Sequence, residues 1–362
     1  MRRFARFWRD SASLIVLART GSGSGVDAAG CNYKVLVFKR PERSSFMPNA
    51  VVFPGGAFSK QDCTLEWNRL LSPEITQQLA KVSGPRPPIF ETDGHSLVDR
   101  NVSLRLCSLR ETFEELGVLL ATEKTGTEKA TGYGKVATGN PMFDVASWQR
   151  DVHDGRREFR ELCEVQKLVP DVASLYEWAT WITPTIIHKK RFETAFFLVA
   201  LSALPPVLPE VNEVKEYYWD TPSNLLEAHA CNRIWLTPPQ AYEVKRLSYV
   251  HDIDKLISFA KQTRDGKGSA AFCPVAYSTS DGTVLALPGD DLYPKDYDYV
   301  TDHTTFDDYK GLTAEELRAK AKRLHRLELG PGLHTKGFFM NQRPSEQHLH
   351  LLGENHHLQL WK

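Results

Sequence analysis

The chain has 362 residues, 41% hydrophobic and 10% aromatic, which is enough for one large domain or two small ones with a full core. Lys plus Arg and Asp plus Glu balance at 45 each, which argues against a polyanion-wrapping surface or a polybasic membrane anchor, so any anion site has to be local. No apolar run approaches the ~20 residues a membrane span needs, and Cys31, Cys63, Cys107, Cys163, Cys231 and Cys273 include no C-x-x-C pair of the zinc or redox kind, so a reduced intracellular compartment is expected.

In chain order, the Arg-rich, acid-free start MRRFARFW is the kind of segment that opens a mitochondrial presequence. Leu14-Ile15-Val16-Leu17-Ala18 predicts the first core strand, Gly21-Ser22-Gly23-Ser24-Gly25 a turn, and Tyr33-Lys34-Val35-Leu36-Val37-Phe38 the hairpin partner. A third strand, Val51-Val52-Phe53, stops at Pro54-Gly55-Gly56, where paired glycines let a phosphate or metal approach the main chain. From about 57 to 102 the chain is rich in Pro, Ser and short charged pieces, and it reads as an insertion outside the core with a helix over 76–82.

The segment 103–116 lacks Gly and Pro and places Leu106, Leu109, Phe113 and Leu116 at helical spacing, with Gly117 as the stop. A second insertion, about 123–169, starts as a polar loop through Asn140 and carries a charged helix over 158–168. Strands are predicted at 195–200 and 214–219, and helices at 223–230, 238–246 and 253–262. After Asp290 comes a Tyr-, Asp- and His-rich tail with one helix over 313–327. The reading is an α+β body over 10–290, with an N-terminal extension at 1–9 and a polar C-terminal extension at 291–362. Its last residues, Leu360-Trp361-Lys362, do not match the S-K-L type of peroxisomal address.

Glu111, Glu114 and Glu115 share one helix face, and three like charges there are costly unless a cation sits against them. Oxygen ligands suit Mg²⁺ or Mn²⁺; the alternative on charge alone is a solvated acidic face. The stretch Arg110-Glu111-Thr112-Phe113-Glu114-Glu115-Leu116-Gly117-Val118 resembles the R-E-U-x-E-E-x-G-U half of a Nudix box, with Thr112 the weak fit at an aliphatic position. Pro54-Gly55-Gly56 resembles the glycine loop of that family. The full pattern, G-x5-E-x7-R-E-U-x-E-E-x-G-U, is interrupted here between Gly56 and the helix. Counting back from Arg110, its first glutamate falls on Val102, so that acid is missing, and Asp99 is the acid nearest in sequence.

The split box resembles the peroxisomal acyl-coenzyme A diphosphatase branch of the Nudix hydrolases. So do Phe46-Met47-Pro48-Asn49-Ala50-Val51-Val52-Phe53, Trp181-Ile182-Thr183-Pro184, Arg191-Phe192-Glu193-Thr194-Ala195-Phe196-Phe197 and Leu287-Pro288-Gly289-Asp290-Asp291. The resemblance implies a Nudix fold, a mixed β-sheet sandwiched between helices, here with two insertions. It implies a metal-dependent diphosphate hydrolase that cleaves a small-molecule substrate, coenzyme A (CoA) or acyl-CoA, to 3′,5′-ADP and a 4′-phosphopantetheine product. It also implies a peroxisomal location, without membrane insertion.

On this reading Glu114 and Glu115 are the main metal ligands, joined by Glu111 and the Gly56 carbonyl. Arg110 orients a carboxylate, and the base is Glu111 or an acid near the strand at 214–219: Glu213 first, then Glu210 or Glu216. Arg40 and Arg43, with Lys39, are suited to a 3′-phosphate, Gly55 and Gly56 to the diphosphate, and Phe46 and Trp181 to the pantetheine arm. Two other readings stay open: a Nudix hydrolase of another nucleoside diphosphate derivative, and a catalytically weak nucleotide- or RNA-binding module. Nucleic acid is not the expected partner, and oligomeric state is open.

Overall fold

The computed structural model describes residues 8–21, 30–84, 86–91, 98–123, 132–137, 143–184, 190–264, 268, 270–298 and 309–341. The predicted turn at 22–25, most of the loop at 123–140, the start MRRFARF and the tripeptide Leu360-Trp361-Lys362 lie outside them.

Strand β1 (Arg9–Arg19) is buried on both faces, Leu14 and Val16 to one side and Ile15 and Leu17 to the other, as a continuous apolar run in a central strand requires. It pairs antiparallel with β2 (Tyr33–Lys39), and β3 (Val51–Val52) extends the sheet beyond β2. The glycines expected to form a loop are themselves a strand, β4 (Gly55–Ala57), antiparallel to β1 with Gly55 opposite Ser13. A Cβ at Gly55, whose φ is +151°, would lie 2.4 Å from the Ala12 carbonyl oxygen, so only glycine lets the two chains meet here.

The first insertion carries α1 (Pro73–Ala80), capped by Ser72, and leads into α2 (Arg100–Leu116). Asp99 is the N-cap of α2, accepting from the Asn101 amide, and Gly117 at φ +66° ends the helix. The expectation that residues 57–102 lie outside the core is corrected: Trp67, Leu71, Leu79, Ile89, Phe90 and Val98 are buried in one cluster with Leu106, Leu109 and Phe113. These apolar residues are widely spaced on short turns, so they leave no periodic signal.

At the second insertion, β5 (Ala121–Glu123) pairs antiparallel with β6 (Leu168–Pro170) and closes the base; α3 (Val145–His153) and α4 (Phe159–Gln166) lie between them. Strand β7 (Tyr176–Ile182), which the sequence reading missed, pairs antiparallel with β8 (Phe192–Leu201), and β8 runs parallel to β1 from Arg9 opposite Phe192 to Ala18 opposite Leu201. Next come β9 (Glu216–Asp220) on β2, the helices α5 (Pro222–Ala230), α6 (Pro238–Leu247) and α7 (Ile253–Arg264), and β10 (Ala271–Phe272) on β7. The eight-stranded mixed sheet has the order β10-β7-β8-β1-β2-β3, with β4 on β1 and β9 on β2. One face packs on α2 and the insertions, the other on α6 and α7.

The C-terminal part builds a second sheet from β11 (Val275–Thr279), β12 (Gly282–Ala286), then after α8 (Ala314–Ala319), β13 (His325–Leu329) and β14 (Thr335–Met340), antiparallel in chain order. The predicted helix over 313–327 is therefore corrected: its first part is α8, but 325–329 is strand. Along β13, Leu327 and Leu329 face the main body, while Arg326 and Glu328 turn to Asp290 and Arg318. This period of two is too short a run to read against the charged residues around it.

Candidate active site

The three glutamates sit in the last turns of α2, near the negative end of the helix dipole, where carboxylates are disfavoured. Burial pushes Glu111 up to about 7, opposed by Arg110 and reinforced by Glu114. Burial also raises Glu114, against the pull of Arg110, and raises Glu115 well above the usual carboxylate range, with Glu111 and Glu213 adding to it. A cluster that resists losing its protons in this way is stabilised by a cation. As the side chains stand, no group of three or more His, Cys, Asp or Glu among the described residues is arranged to hold a metal ion. Glu111 and Glu114 turn to the Arg110 guanidinium at 2.7 and 2.9 Å, and Glu115 accepts the Gly55 amide at 2.8 Å. The donor set itself, oxygen only and crowded, fits a hard divalent ion.

Gly56 lies directly over Glu111: a Cβ there would be 2.3 Å from Glu111 Oε2. Its carbonyl faces the Cys107 thiol at 3.9 Å. The Gly55 amide, expected to be open to a phosphate, is already taken by Glu115. Thr112, the weak fit to the box, buries its hydroxyl by donating to the Ser108 carbonyl at 2.7 Å, so it costs no unpaired polar group.

Arg110 is held from the other side by a residue the sequence reading missed. Asp62, 1% exposed, accepts from Arg110 Nε at 2.8 Å and Nη2 at 2.9 Å. Burial alone would lower Arg110, but Asp62 and Glu111 keep it firmly charged. Asp62 follows Gly56 with five residues between, the G-x5-E spacing with aspartate for glutamate. The first acid is therefore present, and the interruption lies between it and Arg110. Counting backward from the helix across an insertion found Val102, which is fully buried in the core; counting forward from the glycine would have found Asp62. Asp99, as the N-cap, does not take that place.

The segment before β9 is sewn to the end of α2, with the Leu208 amide on the Leu116 carbonyl and the Glu210 amide on the Glu115 carbonyl, both at 2.8 Å. Gln149 of α3 donates to both the Glu114 and Leu208 carbonyls. These bonds bring Glu213 to the site, where it faces His153 Nε2 at 3.4 Å. Glu210 caps the turn by accepting from the Asn212 and Glu213 amides, and Glu216 pairs with Lys39, so both are committed elsewhere.

The carboxylates open into a cavity of about 750 Å³. Arg9, Arg40, Arg43 and Lys190 are its basic lining residues; Arg40 is steadied by Ser44 and lies close enough to favour the Glu115 carboxylate, whereas Arg43 is exposed and bonded to Asn212. Phe46, edge-on to Phe192, and Trp181, whose Nε1 donates to Glu243, are among its apolar lining residues.

A mixed sheet between helices, with R-E-x-x-E-E on the helix under a glycine strand, defines a Nudix protein. Within that class the chain belongs to the family described as the NUDT19 Nudix domain, which matches residues 8–247, and residues 276–335 match the NUDT19 C-terminal domain. It is 33% identical over 374 residues to the Xenopus laevis protein named acyl-coenzyme A diphosphatase NUDT19, covering 97% of each chain. The human protein of that name is 32% identical over 338 residues, covering 88% of each. A solved structure of a Nudix hydrolase from Alicyclobacillus acidocaldarius aligns with a TM-score of 0.49 at 24% identity, over 69% of this chain and 96% of that one.

Proposed function

We propose that this protein is a divalent-metal-dependent diphosphatase that cleaves CoA and acyl-CoA to 3′,5′-ADP and the (acyl-)4′-phosphopantetheine. The observation that carries the reading is the near full-length relationship to proteins named acyl-coenzyme A diphosphatase. A cavity whose lining combines acidic, basic and apolar side chains supports it.

Glu114 and Glu115, with Glu111 and the Gly56 carbonyl, would hold Mg²⁺ or Mn²⁺, which supplies charge neutralisation at the diphosphate. Arg110, fixed by Asp62, keeps Glu111 and Glu114 facing the cavity. Glu213 accepts the proton of the attacking water and is oriented by His153. Arg40 takes the 3′-phosphate through a charge-assisted contact, with Arg43 and Lys190 beside it. A peroxisomal location belongs to the same reading and rests on family resemblance; imaging of a fusion that leaves the C-terminus free tests it.

The function is tested by incubating the protein with Mg²⁺ or Mn²⁺ and CoA, acyl-CoA, NADH and ADP-ribose, and identifying products by mass. The CoA compounds should be favoured in kcat/KM by at least about tenfold, and a chelator should abolish turnover. Preferential cleavage of NADH or ADP-ribose would overturn the substrate assignment.

A further inference from the structure

The cavity does not end within the main body. Its apolar lining includes Trp181 and Phe196 on β7 and β8, Pro238 and Pro239 at the start of α6, and also Leu285 on β12, Leu329 on β13 and Leu333 in the turn before β14. Leu285 and Leu329 are only 3% and 2% exposed and belong to the same apolar cluster as Trp181 and Phe196, so the second sheet closes this end by packing against the first.

We infer that the C-terminal sheet is the end wall of the substrate cavity and sets the length of acyl chain accepted, with Leu285, Leu329 and Leu333 as the residues that measure it. The inference rests on the proposed acyl-CoA reading and adds to it the part of the chain that confers selectivity. A diphosphate held over the α2 carboxylates has two arms. The nucleotide arm carries a phosphate and needs cations, which Arg40, Arg43 and Lys190 supply. The pantetheine arm is uncharged and its acyl chain gains from leaving water, and Leu285, Leu329 and Leu333 of the C-terminal sheet add apolar lining to that of Trp181 and Phe196. Each methylene buried there is worth roughly fourfold in affinity.

The wall is also fixed in place. Tyr242 of α6 bonds through its hydroxyl to His325 Nε2 at 2.9 Å, and its ring stands edge-on to Trp181 and to Phe338 of β14, each at 5.1 Å. One side chain thus ties the lining of the cavity to the neighbouring strands β13 and β14 of the end wall. A rigid wall gives a defined limit to chain length, whereas a hinged one would give way to longer chains.

The test compares kcat/KM on acetyl-, octanoyl- and palmitoyl-CoA for the wild type, Leu333→Trp and Leu285→Ala, with thermal unfolding as the folding control. Leu333→Trp fills the end of the cavity from a surface turn and should lower the palmitoyl-to-acetyl ratio by at least about tenfold; Leu285→Ala, which deepens it, should raise that ratio. Wild-type ratios in both folded variants would overturn the inference. Calorimetric binding of S-octanoylpantetheine, which has no diphosphate, separates a failure of the wall from a failure of the hydrolase reading. Binding by the wild type that is lost in Leu333→Trp supports the wall whatever the hydrolysis assay gives, and no binding by the wild type overturns it.

Discussion

Asp62 carries more of the site than its size suggests. It is buried, it takes two bonds from Arg110, and Arg110 in turn spreads its remaining donors over Glu111, Glu114 and the Ala57 carbonyl. Removing Asp62 leaves a buried guanidinium with Glu111 and Glu114, the proposed metal ligands, as its remaining charged partners. Asp62→Ala should therefore cost about 3–5 kcal/mol of stability, the usual penalty for breaking a buried pair, and should also reduce turnover because Glu111 and Glu114 lose their bearing. Urea unfolding together with metal-saturated kinetics measures both, and a variant with the wild-type midpoint and wild-type kcat contradicts this role. The box residues on α2 were legible because they are consecutive. Asp62 was not, because the partner of Arg110 lies across an insertion whose length the sequence does not announce.

At the scale of elements, the first insertion shows why composition is a poor guide to burial. Its Pro and Ser content suggested a surface loop, yet Trp67 packs against Phe159 of the second insertion, with tilted rings whose centroids are 6.2 Å apart, and Phe159 packs in the same way against Phe113 of α2 at 5.9 Å. The two insertions thus meet over the helix that bears the carboxylate cluster. Trp67→Ala should destabilise the protein by about 3–5 kcal/mol, as expected for a large aromatic removed from a closed core, with the Tm falling in a thermal melt. Little or no loss would mean that the insertion is peripheral after all. The helices α5 and α6 carry Pro at the first turn and α7 was legible without it, while β7 was missed because Tyr176–Ile182 is buried along its whole length and shows no alternation.

For the whole molecule, the division of labour runs between two sheets. The first, with α2 beneath it, brings the acids, Glu213 and Arg40 into the cavity; the second adds Leu285 and Leu329 to its lining. The sequence made the first legible, since a motif of fixed spacing reports its own structure. It concealed the second, because β11 to β14 are short strands in polar surroundings whose inner leucines acquire meaning only once the sheet is assembled. The account as a whole stands on phosphorus–oxygen cleavage at the α2 carboxylates. Its most direct test is mass analysis of the products formed from octanoyl-CoA in ¹⁸O-labelled water with Mg²⁺, by the wild type and by a folded Glu115→Gln variant. The wild type should give 3′,5′-ADP and octanoyl-4′-phosphopantetheine, with one ¹⁸O incorporated on a phosphate, and the variant should be slower by on the order of 100-fold. Release of free CoA by thioester cleavage, or equal rates in the two proteins, would contradict it.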